Sequence, residues 1–78
     1  MAAEVTSSRV VMRPGVRSGQ PIIAGTRITV WDILGWLAAG ATESQILEDY
    51  PDLTHDDLLA ALQFAYDLKD KFPLETAV

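Results

Sequence analysis

Apolar positions change their rhythm along the chain, and each change marks an element. Val10-Val11-Met12 and Ile22-Ile23-Ala24 are short β-prone runs, separated by Pro14-Gly15 and Ser18-Gly19, which favour turns. They predict a small hairpin or ribbon, and Gly25-Thr26 turns the chain out of it. From Thr29 the spacing becomes helical, with Val30, Ile33, Leu34, Leu37 and Ala38 recurring at intervals of three and four. Thr29 suits an N-cap, Asp32 completes a capping box, and Gly40 ends the helix as a left-handed cap. Thr42 with Gln45 opens a second, short helix, in which Ile46 and Leu47 face inward before Pro51 stops it. Thr54 with Asp57 opens a third, which runs to about Lys71 before Pro73. Its expected core stripe is Leu58, Ala61, Leu62, Ala65 and Phe72, flanked by Leu59, Tyr66 and Leu68.

These elements describe a mainly α protein: a three-helix bundle of helix-turn-helix type over residues 29–72, preceded by a short N-terminal β-ribbon over 10–28. Residues 1–9 are expected to be a flexible N-terminus, 10–72 a single domain and 73–78 a short tail. Seventy-eight residues leave no room for a second core. A chain of this length buries only about 60% of its unfolded surface, so association with another chain is a common source of added stability.

Charge adds a polarity that the helical pattern hides. The net charge of −5 divides into four arginines against one glutamate over residues 1–30, and two lysines against ten acids over 31–78. A basic front and an acidic back suggest two surfaces with different partners. There is no cysteine, which removes disulfides and thiolate metal sites. No apolar run approaches the roughly 20 residues of a membrane span, and residues 1–9 lack the centre of a signal peptide, so a cytoplasmic protein is expected.

Catalytic chemistry finds little support. His55 is the lone histidine and is followed by Asp56 and Asp57, as at a solvated helix start. The acids of the back half show no paired-carboxylate spacing, the serines have no partner base, and the glycines do not form a phosphate loop. No enzyme activity, metal or cofactor is expected. The third helix would also read DNA poorly, because its opening carboxylates repel phosphates. Contacts to nucleic acid or to a protein partner would then fall to the front arginines: Arg13, Arg17 and Arg27 are the candidates, with Arg9 beside them. Arg27 could equally pair with a nearby acid such as Asp32. Among the aromatics, Trp36 lies off the core stripe of the first helix and Phe64 off that of the third, so both are candidate exposed anchors of an interface. A ribbon folded over them would bury them instead. The excess of apolar surface favours a homodimer or a tight heteromeric partner.

Two segments carry a family resemblance: Gly19-Gln-Pro21-Ile22-Ile23-Ala-Gly25-Thr26-Arg27-Ile28, and Gly40-Ala41 through Ile46-Leu47 to Tyr50-Pro51-Asp52-Leu53. In order and at this separation they closely resemble the domain-of-unknown-function 433 family of small prokaryotic proteins, over roughly Val10 to Leu68. The resemblance implies a homeodomain-like three-helix domain behind a β-ribbon. It also implies an antitoxin of a type II toxin–antitoxin pair, whose toxin is a PIN-like ribonuclease with clustered acids and a divalent metal. An arginine of the basic front would then meet the acidic toxin site. Since only Pro73 to Val78 follow the third helix, inhibition is expected to use the folded domain. DNA-binding autoregulation is an added expectation. The alternatives are a homodimeric helix-turn-helix DNA-binding regulator without a toxin, and a structural dimerisation module.

Overall fold

Three capping boxes set the helix boundaries in the computed structural model, which describes residues 4–5 and 9–71. Thr29 opens α1 (Val30–Ala38), Thr42 opens α2 (Glu43–Asp49) and Thr54 opens α3 (His55–Asp67). In each, the threonine hydroxyl accepts the N–H of the residue three on, and that residue's side chain accepts the threonine N–H. The distances are 2.9 and 3.0 Å for Thr29–Asp32, 3.1 and 2.8 Å for Thr42–Gln45, and 3.2 and 3.0 Å for Thr54–Asp57. Two otherwise orphaned donors are satisfied at each helix start.

Gly40 ends α1 as expected, at φ +102°. Its N–H donates to the Leu37 carbonyl and the Ala41 N–H to that of Trp36, both at 3.0 Å, which is the Schellman pattern. The α-helical part of α3 stops at Asp67, short of the expected Lys71, and continues as a 3₁₀ turn over Leu68–Lys71. No helix among the described residues is long and apolar enough to cross a membrane.

The ribbon is a three-stranded antiparallel sheet in the order β1 (Glu4–Val5), β2 (Val10–Met12), β3 (Ile22–Ile23). Val10 pairs with Ile23 and Val11 with Ile22, while Val5 pairs with Val11 on the other edge. The two expected strands are present, and Glu4–Val5 adds a third that the residue pattern did not mark.

β2 packs against α3, and α1 and α2 pack against the same helix. The core joins Val10 and Ile23 of the sheet to Val30, Ile33, Ile46, Leu53, Leu58, Ala61 and Phe64. Each of the larger members contributes about 1.5–3 kcal/mol on full burial. Two expectations are corrected here. Phe64, expected as an exposed anchor, is a core residue at 9% exposure. Leu62, Leu59 and Tyr66, expected in or beside the core stripe, are exposed instead. The physical reason is packing from two sides: Arg9, beside β2, pairs with Asp57, and Trp31 of α1 meets Phe64, so the buried arc runs along Asp57, Ala61 and Phe64 and leaves Leu62 and Tyr66 outside it. Phe72 lies outside the described residues.

Candidate interface

The basic front is built around one left-handed loop. Between β2 and β3 the chain makes a 3₁₀ turn at Arg17–Gly19, with Arg17, Ser18 and Gly19 at φ +47°, +60° and +78°. Left-handed conformations at two non-glycine residues persist only where the surroundings hold them. Here the Arg17 guanidinium does so, donating from Nη1 to the Arg27 carbonyl at 2.8 Å and to Asp32 Oδ2 at 3.2 Å. One carboxylate thus closes the Thr29 capping box and fastens the loop to the start of α1. Burial alone would raise the Asp32 pKa; the hydrogen bonds from Thr29 and the charge and hydrogen bond of Arg17 outweigh it and hold the carboxyl below its ordinary value.

The Gly-Thr-Arg-Ile segment is a turn with little slack. Gly25 sits at φ +83°, and the Thr26 N–H returns to the Ile23 carbonyl at 3.0 Å, as a type II turn requires. The Thr26 hydroxyl donates to that same carbonyl at 2.8 Å and accepts the Ile28 N–H at 3.0 Å. Buried Pro21 gives its carbonyl to the Val30 N–H at 2.9 Å. Arg27 is held at the tip of this turn and is exposed.

The arginines are therefore not equivalent. Arg9 joins the sheet to α3, donating to Asp57 Oδ1 at 3.1 Å and approaching Asp56 Oδ2 at 3.5 Å. Arg17 is committed to Asp32. Asp32 does not pair with Arg27, because the left-handed loop delivers Arg17 to that carboxylate first. Arg13 and Arg27 are exposed and make no ion pair among the described residues.

The second segment holds the far end of the bundle together. Tyr50 stacks on Trp36 with ring centroids 4.4 Å apart and planes within 10°. Trp36, expected as an exposed anchor, is only partly exposed and packs against the core. With Ala39, Ala41, Gln45, Ile46 and Tyr50 it lines a shallow cleft of about 210 Å³. The exposed tryptophan is Trp31, whose ring meets Phe64 edge-on with centroids 5.9 Å apart. The helical wheel carried a signal for it: at about 100° per residue, Trp31 and Trp36 lie equally far from the α1 stripe on opposite sides. Across α2 and α3, His55 Nδ1 pairs with Glu43 Oε2; that hydrogen bond and the Glu43 charge raise the His55 pKa.

A model of the family described as "Protein of unknown function (DUF433)" matches residues 10–65. A crystal structure of a DUF433 member from Anabaena variabilis shares 34% identity with the chain at a TM-score of 0.76, covering 90% of this chain and 69% of that one. A Mycobacterium tuberculosis protein named "Putative antitoxin VapB45" is 42% identical over 55 residues, which are 70% of this chain and 23% of that protein. "Uncharacterized protein y4eO" of Sinorhizobium fredii is 32% identical over 56 residues, 72% of this chain and 25% of that protein. The chain spans about a quarter of the length of these two relatives. With the Gly-Thr-Arg-Ile turn and the Tyr-Pro-x-Leu segment both inside the matched span, the chain belongs to the DUF433 family.

Proposed function

We propose that this chain is a non-enzymatic, antitoxin-like module of a prokaryotic type II toxin–antitoxin pair, acting in the cytoplasm as a homodimer on a PIN-like ribonuclease. The observation that carries the reading is the likeness to the mycobacterial protein named as an antitoxin. The chemistry supports it. A metal-dependent ribonuclease site is a cluster of carboxylates, and a guanidinium presents a planar donor fork that matches a carboxylate. Arg27, braced at the tip of a hydrogen-bonded turn, and Arg13 are the arginines with donors to offer. Arg17 serves by positioning the loop. Trp31 adds exposed apolar area on one side of α1.

The same arginines would supply phosphate contacts if the protein represses its own operon, with the bundle as scaffold. α3 is not offered as a recognition helix, because it opens with His55-Asp56-Asp57.

Affinity capture of the tagged protein from its native cytosol tests the reading. A small ribonuclease recovered in fixed ratio is expected. Replacing Arg13 and Arg27 together by alanine should abolish neutralisation of that ribonuclease without moving the thermal midpoint. Retained protection sinks the arginine assignment. Recovery of operator DNA and no ribonuclease moves the assignment to a homodimeric DNA-binding regulator.

A further inference from the structure

α3 leaves a second apolar stripe uncovered. Leu59, Leu62 and Tyr66 are 49%, 43% and 62% exposed, on the side of the helix away from buried Leu58, Ala61 and Phe64. Their spacing of three and four residues lines them along one face. Isolated exposed leucines need no explanation, but two leucines and a tyrosine in register on one helix form a strip of the kind that seats another helix.

We infer that this strip is the dimer surface, and that its occupant is α3 of a second copy, packed antiparallel about a two-fold axis midway between Leu62 and Gln63. The sequence of the strip is self-complementary in that register. Leu59 and Tyr66 are equidistant from the axis, so each Leu59 meets Tyr66 of the second copy, and the two Leu62 side chains lie beside each other. Asp56 and Lys69 are also equidistant from it. Lys69, which leans over the Tyr66 ring at 4.8 Å, is thus carried towards the acidic first turn of the other α3. There the Asp56 side chain is 65% exposed and meets Arg9 of its own chain at 3.5 Å, leaving carboxylate surface for a second cation. A parallel pairing would instead set like charges against each other at both ends. The antiparallel pairing also opposes the two helix dipoles. Closed two-fold contacts use one patch twice, and this patch matches itself. The inference rests on the homodimer part of the proposed function and is independent of its ribonuclease and arginine parts.

Sedimentation of the full chain, alone, tests it. The wild type is expected to be a dimer. The double variant Leu59→Glu, Tyr66→Glu should be monomeric with an unchanged helical circular dichroism spectrum, since both side chains are already exposed. Lys69→Glu should raise the dissociation constant about tenfold, because the two-fold axis changes two modest ion pairs at once. The chain has no cysteine, so Leu62→Cys should give a disulfide-linked dimer under mild oxidation, whereas Glu48→Cys, at an exposed position on α2, should not. A dimer that survives the double glutamate variant, or cross-linking by Glu48→Cys in place of Leu62→Cys, overturns this surface and leaves the homodimer reading standing. Wild-type-like association of the Lys69→Glu variant overturns the register. A monomeric wild type overturns both the surface and the homodimer reading.

Discussion

Replacing Asp32 separates the two bonds that this carboxylate makes. Asp32→Ala removes the acceptor of the Thr29 N–H at 3.0 Å and the partner of Arg17 at 3.2 Å. Asp32→Asn keeps an acceptor oxygen at the same reach and removes the charge. Thr29 is 1% exposed, so its N–H cannot turn to water, and an orphaned buried donor costs about 1–3 kcal/mol. The Arg17 pair is partly solvated on both sides and contributes about 0–1 kcal/mol. Asp32→Ala should therefore destabilise the protein by about 2 kcal/mol, or roughly 8–16 °C in Tm for a domain of this size, and Asp32→Asn by about 0.5 kcal/mol, or roughly 2–4 °C. The charge part also has a pH signature. The folded carboxyl titrates below its ordinary value of 3.8, so its stabilisation is complete above that pH and is lost as pH falls through the depressed folded value. Thermal unfolding followed by circular dichroism should show a wild type-to-Asn gap that is constant from neutral pH to about pH 4 and closes below it. Equal losses for Asn and Ala, or a gap that persists in acid, would refute the assignment of these two bonds to one carboxylate.

The corrected face of α3 gives a second prediction. Phe64→Ala should cost about 3 kcal/mol in urea unfolding and shift Trp31 emission to the red as its ring loses the edge contact, whereas Tyr66→Ala should stay within about 0.5 kcal/mol when measured on the monomer. Comparable losses at both positions would mean that Phe64 does not mark the buried arc of α3. The exposed His55–Glu43 pair predicts an NMR titration of His55 above 6.5 that falls back towards that value in Glu43→Gln. Because the folded pKa is raised, whatever stability the pair supplies is present below the unfolded pKa and fades as pH rises through the folded one. An unchanged His55 titration in Glu43→Gln would remove Glu43 as the cause.

What could be read from the residues alone was the set of interactions closed within a few positions of chain. A capping box needs only a threonine and a partner three residues on, and a Schellman end needs only a residue that tolerates positive φ, so Thr29–Asp32, Thr42–Gln45, Thr54–Asp57 and Gly40 were all legible. The two short strands and the family segments were legible for the same reason. Questions of which face is covered depended on residues far along the chain. Trp31 and Trp36 are symmetric about the α1 stripe, and Trp36 is the covered one because Tyr50 at the end of α2 stacks on it. Phe64 is buried because elements far apart in sequence close on its face of α3: Trp31 of α1 meets its ring, and Val10 of β2, more than fifty residues earlier, joins the same core. The partner of Asp32 was undecided in sequence, where Arg27 is nearer; three consecutive left-handed residues bring Arg17 back to it and leave Arg27 at the turn's tip. Local bonding determined the elements, and tertiary packing decided which side chains those elements leave to a partner.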